Sequence, residues 1–190
     1  AMEGHGLDEV GNPSSLFLSG RDEPIAGAAV FPALEGTRPV LVEIQALIVR
    51  LQSGATPRRA VVGWDSGRLA MLLAVLESRC GLSFSTAEVY LNVAGGYRLA
   101  DPAADLAVAA ALISALADKP LPASAVWFGE LALSGEVRPV AHGNVRQKEA
   151  AKLGFKTAFG PADGGQDVSG LRYTDIGAVS SLVDRVMASA

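Results

Sequence analysis

The sequence predicts a single domain of the α/β or α+β class. Its 190 residues are enough to build one substantial hydrophobic core. Hydrophobic residues make up 49% of the chain and charged residues 19%, a balance typical of a packed globular domain and not of a disordered one. Segments with the period of two expected of strands alternate with segments of helical period, and the chain has no obvious internal repeat.

The first predicted elements are two strands over residues 28–34 and 40–49, joined by a turn at residues 35–38. In the second strand the apolar and polar residues alternate, so one face is expected to be apolar and the other polar. The apolar face holds Val40, Val42, Ile44, Ala46 and Ile48, and the polar face holds Glu43 and Gln45.

A short strand over residues 60–63 precedes a helix that Asp65 or Ser66 can cap and that Gly81 should end. Leucines at helical spacing give this helix one apolar face, which indicates ordinary core packing. Another strand, around residues 88–93, ends at a Gly95-Gly96 pair that favours a turn with positive φ rather than a phosphate-binding loop.

The second half begins with an alanine-rich helix over residues 102–118, for which Asp101 is the predicted N-cap. A hairpin over residues 125–133 and 136–140 follows. Asn144 and Gln147 resemble a capping box for the next helix, which should end before Gly154. A short strand at 157–159 and a last helix over 176–188 complete the domain. The core face of that helix is predicted to be Ile176, Val179, Leu182, Val183 and Val186, and Trp64 and Trp127 are predicted to lie in the core or an interface.

Composition limits the classes of function. The formal net charge is −4, so the domain as a whole does not attract nucleic acid, although local basic patches remain possible. Cys80 is the only cysteine, which excludes an intrachain disulfide and suits a reducing cytoplasm. One cysteine and two distant histidines argue against a zinc site within this chain. We also expect no signal peptide and no membrane span, because no apolar run reaches the required length.

Residues 100–149 resemble the centre of the Lon-type proteolytic domain. In that family a nucleophilic Ser opens an alanine-rich helix and a Lys lies near the start of a later helix. Aligned without a gap, the Ser position falls on Ala103 and the Lys position on Arg146. A methyl group cannot attack a carbonyl, and a guanidinium does not lose its proton at usable pH. The resemblance therefore implies a Lon-like, ribosomal protein S5 domain 2-like fold without its catalytic pair.

Further segments are similar to the C-terminal domain of the bacterial RadA (Sms) family. They include Glu35 to Leu47, Arg68 to Glu77, Asn92 to Gly96, Ala104 to Ala107, Gly129-Glu130, Glu149 to Phe155 and, upstream, Glu9 to Leu18. The resemblance implies a cytoplasmic DNA repair and recombination protein that forms a homo-hexameric ring and works with DNA and a RecA-type recombinase. Its full form carries a zinc finger and a RecA-like ATPase core, so ATP, Mg and Zn are implied for those parts. This chain has no phosphate-binding loop and no cysteine quartet, so we expect no cofactor in it.

On this resemblance residues 26–190 form the Lon-like domain. Residues 1–25 are expected to combine a cloning remnant at Ala1-Met2 with a linker from a missing ATPase core. The linker contains one apolar patch, Leu16-Phe17-Leu18, which could dock on the domain or belong to a preceding one.

Replacements for the missing catalytic pair are hard to find. Ser114 lies about three helical turns beyond Ala103, and Lys148 points to a different side of its helix from Arg146. Asp105 occupies a position where the active enzymes have Gly. We favour a carboxylate stabilised by the helix dipole there, over a contact across a subunit interface or with Arg98 or Arg146.

Candidate DNA contacts are Arg58 and Arg59, after a polar loop, and Lys148 and Lys152, four residues apart on one helix. Each pair is weighed against an ordinary solvated surface. The predicted function is a non-catalytic scaffold that supports the ring and touches DNA. An active Ser-Lys peptidase with an unplaced catalytic pair and a protein-interaction adaptor without DNA contact remain alternatives.

Overall fold

The computed structural model describes residues 23–52 and 54–188, which hold nine strands and four α-helices. The predicted linker over residues 1–25, including Ala1-Met2 and the Leu16-Phe17-Leu18 patch, lies outside them except for its last three residues. The strands are β1 (Ala28–Glu35), β2 (Arg38–Arg50), β3 (Arg59–Val62), β4 (Ala87–Val93), β5 (Ala125–Trp127), β6 (Glu130–Leu131), β7 (Val137–Arg138), β8 (Thr157–Gly160) and β9 (Arg172–Asp175). The helices are α1 (Ser66–Cys80), α2 (Asp105–Ala117), α3 (Gly143–Lys152) and α4 (Val179–Ala188).

Seven strands form one mixed sheet in the order β3-β4-β2-β1-β5-β8-β9, and β6 and β7 form a separate two-stranded ribbon. The β1–β2 and β2–β4 pairs are antiparallel, whereas β3–β4, β1–β5, β5–β8 and β8–β9 are parallel. This arrangement of strands and helices confirms the predicted α/β (α+β), Lon-like fold class.

Helix α2 is enclosed on all sides. Every residue from Ala103 to Ser114 is buried, and Leu106 to Ile113 have no exposed surface. Because a helix that is apolar all round must be covered all round, α2 packs on β1 and β2 and is covered by α1 and α4. Its one buried hydroxyl is satisfied: Ser114 Oγ donates to the Lys119 carbonyl and accepts from the Gly27 N–H at 2.9 Å.

Several predicted element ends are confirmed. The Asp65 carboxylate caps α1 by accepting from the Arg68 N–H at 2.8 Å, and Gly81 ends the helix with φ 69°. Asp101 caps the 3-10 turn Pro102–Ala104 that leads into α2. Both glycines of the Gly95-Gly96 pair have positive φ, as a turn requires.

The predicted core faces also hold. Four of the five residues predicted for the last helix are buried within α4, and Ile176 is buried just before it, because the helix begins at Val179. Trp127 is buried and stacks on Phe159 with ring centroids 4.0 Å apart, and Trp64 is also buried. None of the helices within the described ranges is long and apolar enough to cross a membrane.

Other predictions at the level of elements are wrong. The capping box at Asn144 and Gln147 does not form: His142 is the N-cap of α3, with φ 61°, and no side chain caps the helix there. The Gln147 amide instead donates to the Gly143 and Gly164 carbonyls and accepts from the Gln166 N–H. It therefore holds the loop after β8 rather than the start of its own helix.

The predicted hairpin is shorter than expected, because β5 joins the main sheet and only β6 and β7 pair with each other. Strand β9 was not predicted at all. Glu43 was assigned to a polar face, but it is only 5% exposed, since residues before β1 and around residues 121–125 surround that part of the sheet.

Candidate functional site

The two positions that correspond to the Lon-type catalytic pair are joined through Asp101. Ala103 is fully buried in the turn before α2, and Arg146 is 2% exposed in the first turn of α3. One oxygen of the Asp101 carboxylate, Oδ1, accepts from the Ala103 N–H at 2.9 Å. The other, Oδ2, accepts from Arg146 Nη2 at 2.7 Å. The predicted N-cap thus also orients the guanidinium, a second role that spacing alone does not reveal.

The Arg146 guanidinium uses its three nitrogens in three directions. Besides Asp101, it donates from Nη1 to the Pro32 carbonyl at 2.6 Å and from Nε to the Ala141 carbonyl at 3.1 Å. It also lies over the Phe31 ring, 5.4 Å from the centroid. Through these bonds the Arg146 guanidinium connects β1, α3 and the start of α2. It is permanently charged and has no lone pair with which to accept a proton.

The serine and lysine considered as replacements do not join this cluster. Ser114 is buried at the far end of α2, where its hydroxyl bonds Gly27 and Lys119. Lys148 is exposed on α3, whereas Arg146 two residues earlier is buried, which agrees with the predicted difference in direction.

The favoured position of Asp105 at the start of a helix is confirmed, whereas the alternative contact with Arg98 or Arg146 is wrong. Asp105 does lie in the first turn of α2, but its buried carboxylate forms a bidentate ion pair with Arg68 of α1. It also accepts from the Leu131 N–H at 3.0 Å. Neither Arg98 nor Arg146 is its partner. The side chain therefore ties α1, α2 and the β6–β7 ribbon together.

Burial raises the pKa of the Asp105 carboxyl above its ordinary value, because desolvation disfavours the charged form. Arg68 and the Leu131 N–H act in the opposite direction and offset part of this rise. The same ion pair raises the pKa of Arg68. The carboxylate is thus held in the core by its three hydrogen bonds, at the cost of desolvation.

A cleft of about 690 Å³ lies beside Asp101 and is lined by residues 33–35 and 96–101. Arg98 is exposed at its wall, and Asp101 borders it. The cleft is open to solvent and is lined by polar and apolar residues alike. Ala103 and Arg146, the positions that correspond to the Lon-type catalytic pair, lie behind Asp101 in the core.

The side chains of the two arginines proposed to contact DNA differ in exposure and in hydrogen bonding. The side chain of Arg58 is 73% exposed and has only a distant ion pair with Glu88, at 4.0 Å. The Arg59 guanidinium donates to the Ala87 and Phe84 carbonyls and so holds the segment that leads into β4. Arg58 is therefore available to a ligand, whereas Arg59 has a structural role.

Lys148 and Lys152 are both exposed on α3, as both a phosphate-facing ridge and an ordinary solvated face require. They lie on a different element from Arg58, which precedes the edge strand β3. The candidate contacts therefore lie on two elements, one before β3 and one on α3.

Comparison with known proteins gives two kinds of match. The protein family described as "Subunit ChlI of Mg-chelatase" matches residues 67–164. The chain is 57% identical over 190 residues to DNA repair protein RadA of Brucella abortus (strain 2308), which covers 99% of this chain and 40% of that protein. It is 51% identical over 183 residues to RadA of Rickettsia felis, covering 96% and 40% respectively. It is 50% identical over 162 residues to RadA of Escherichia coli (strain K12), covering 85% and 35%. The chain thus spans about two fifths of the length of these relatives or less.

Proposed function

The chain belongs to the family described as subunit ChlI of Mg-chelatase and is homologous to bacterial RadA along nearly its whole length, and from this premise we propose that it is the non-catalytic, Lon-like scaffold domain of a RadA-type DNA repair protein. We base the proposal on the RadA relatives rather than on the family match. The RadA matches extend over up to 99% of the chain, whereas the family match covers residues 67–164.

The observation that carries the non-catalytic part is the bonding of Arg146. Its guanidinium is buried and donates to one carboxylate and two backbone carbonyls, so it serves as an anchor between elements. The residue at the nucleophile position, Ala103, has neither a reactive group nor exposed surface. Peptide hydrolysis by this pair has no chemical basis.

The activity of the whole protein belongs to the proposal as well. We place a DNA-dependent ATPase, with its ATP, Mg and Zn sites, in the three fifths of the relatives' length that this chain does not cover. The chain contributes the platform for a homo-hexameric ring that acts on DNA in the cytoplasm, together with a RecA-type recombinase. In this scheme residues 26–190 are the platform and the residues before them are the linker.

DNA contact is assigned to the exposed cations Arg58, Lys148 and Lys152. Exposed lysines and arginines bind phosphates without reading base sequence, and a ring would repeat each basic position once per subunit. Arg59 is removed from the predicted contact set because its guanidinium is occupied by backbone carbonyls.

The DNA assignment is tested by fluorescence anisotropy with labelled duplex DNA at several salt concentrations. We expect Arg58→Ala and the double change Lys148→Ala/Lys152→Ala to weaken binding and to lower the slope of log K against log salt by about 0.9 per lost phosphate contact. Arg172→Ala is the matched control, since Arg172 is an exposed cation at the opposite edge of the sheet. Equal weakening by the control, or no salt-dependent binding at all, contradicts the assignment and favours the adaptor function.

Two further measurements separate the scaffold from its alternatives. A serine-reactive probe should label no residue of the purified chain, and specific labelling of one serine would support the peptidase alternative. Light scattering over a wide concentration range should show a hexamer. A monomer at every concentration would assign ring assembly to the part of the relatives that this chain does not cover.

A further inference from the structure

Strand β3 forms an open edge of the seven-stranded sheet. It is the terminal strand of that sheet, and within residues 23–52 and 54–188 only β4 pairs with it. The Val89 N–H donates to the Arg58 carbonyl at 2.9 Å, and Arg59 pairs with Val89 in parallel register. Because successive residues of a strand direct their backbone groups to opposite sides, the N–H and C=O groups of Arg59 and Val61 point away from β4. We call these outward groups the β3 edge, and such an edge is a template for another extended chain.

A groove of about 260 Å³ lies beside the β3 edge, between β3 and α1. Val61 lines it from the strand, and α1 contributes residues at helical spacing, among them Leu69, Ala70, Leu73 and Ala74. Leu69 and Leu73 are buried, whereas Ala70 and Ala74 are exposed. This β3–α1 groove therefore offers an apolar surface, open to solvent, next to the outward backbone groups.

The opposite face of the sheet is also apolar near this edge. Val62 is 60% exposed, and Leu47 of β2 is 59% exposed. The register places Ala60 beside Tyr90 and Tyr90 opposite Leu47, all on the face that carries Val62. A strand added to the β3 edge sends alternate side chains to the two faces, so it covers Val62 on one face and fills the β3–α1 groove on the other. Apolar side chains therefore fit on both faces of the added strand.

An exposed cation at the start of β3 sets the charge of the occupant. The side chain of Arg58 is 73% exposed, and its ion pair with Glu88 is distant, at 4.0 Å. Antiparallel pairs are slightly more stable per residue than parallel ones. Since β3 runs from Arg59 to Val62, an antiparallel strand places its C-terminal end beside Arg58. An acidic residue at that end complements the guanidinium charge.

We propose that the β3 edge and the β3–α1 groove bind an extended segment of a partner protein, which adds to the sheet antiparallel to β3. The segment is a run of apolar residues about as long as the four-residue β3, followed by an acidic residue. Backbone hydrogen bonds to Arg59 and Val61 supply the affinity, and the groove beside Leu69 and Leu73 supplies the specificity. This docking of a partner goes beyond the scaffold role proposed above and does not depend on DNA contact.

Backbone methylation of a peptide tests the added strand without altering the protein. The probe is the fluorescein-labelled peptide Ser-Thr-Val-Ile-Val-Asp-Asp, titrated with the full chain and followed by fluorescence anisotropy. N-methylation of its Thr, Val, Ile and Val residues, one at a time, removes single backbone N–H groups. Only alternate N–H groups of an added strand face β3. Methylation at alternate positions should therefore weaken binding by at least about tenfold, and methylation at the positions between them by less than about twofold.

Two variants of α1 give a second readout. Ala74→Trp fills the β3–α1 groove and should weaken binding of the probe by at least about tenfold. Met71→Trp is the matched control, because Met71 is also exposed on α1 but does not line the groove, and it should leave binding unchanged. Replacing both Asp residues of the probe with Lys should also weaken binding, because the lysines face Arg58. Ala74→Trp keeps every candidate DNA contact, so its DNA binding should not change, and failure of the docking is distinguishable from failure of the DNA assignment.

Several outcomes overturn the proposal. One is the lack of saturable binding of the probe up to about 1 mM protein. Equal weakening by methylation at every position shows that the peptide does not bind as a strand, and equal weakening by Ala74→Trp and Met71→Trp shows that it does not use the groove. If the probe does not bind and light scattering detects self-association that Ala74→Trp abolishes, a second copy of the chain occupies the edge instead.

Discussion

Replacing Arg146 with Lys tests whether this residue, which aligns with the Lon-type lysine, is a structural anchor. The change keeps the positive charge and most of the apolar stem but replaces a planar fork of three nitrogens by a single ammonium. In the structure the three nitrogens bond Asp101, Pro32 and Ala141, which lie in different directions. An ammonium on the same stem can keep the bond to Asp101 but not both carbonyl bonds.

The expected loss follows from those two bonds. A hydrogen bond from a charged donor contributes about 1.5–3 kcal/mol, and a buried acceptor left without a partner costs about 1–3 kcal/mol. Allowing for partial adjustment of the new side chain, Arg146→Lys should lower the free energy of unfolding by roughly 2–4 kcal/mol. The lost contact with the Phe31 ring acts in the same direction.

Equilibrium urea unfolding, followed by the fluorescence of the buried Trp64 and Trp127 and by circular dichroism, measures this loss. Arg138→Lys is the matched control, since Arg138 is exposed on β7, and its effect should stay within about 0.5 kcal/mol. If Arg146→Lys also costs less than about 0.5 kcal/mol, the guanidinium is not an anchor and the structural account of this position fails.

Two more predictions concern the neighbouring groups. Restoring the catalytic pair with Ala103→Ser/Arg146→Lys should produce no casein hydrolysis. The Asp101 carboxylate favours the charged ammonium of the new lysine, and position 103 has no exposed surface. Measurable cleavage of casein would show that the scaffold still holds a usable site. Arg68→Met should cost about 3–5 kcal/mol at pH 7 by leaving the Asp105 carboxylate buried without its partner. Removal of Arg68 raises the pKa of Asp105 further above its unfolded value, so folding of the Arg68→Met protein takes up a proton. Its loss of stability relative to the unchanged protein should therefore shrink as the pH falls through that raised pKa. Urea unfolding at pH 7 and pH 5 checks this, and a larger loss of stability at pH 5 is the contrary result.

The elements that were predicted correctly are those whose signals are local. Asp65 and Gly81 mark the ends of α1 by hydrogen bonding and backbone conformation within a few residues, so their roles are visible in the sequence. The core face of α4 follows from spacing alone. The degenerate positions Ala103 and Arg146 were found by alignment to a family pattern, and the structure brings them together through Asp101.

The predictions that were wrong depend on partners distant in sequence. Asp105 bonds Arg68, 37 residues away, and nothing in the local pattern distinguishes Arg68 from other surface arginines. Gln147 has the spacing of a capping box, but its amide is taken by Gly164 and Gln166 in a loop that the topology brings beside α3. Strand β9 is short and only partly buried, so its pairing with β8 produces no clear alternation.

The complete enclosure of α2 has a consequence for how the domain opens. Its amide hydrogens lie beneath the sheet on one side and beneath α1 and α4 on the other, so solvent reaches them only after one of these layers has left. Local fraying cannot expose the middle of such a helix, and its amides exchange with solvent only through opening of the whole domain. A few exchange rates within Leu106–Ile113 therefore report the global stability of the domain, while the exposed strands at both sheet edges report only local motion.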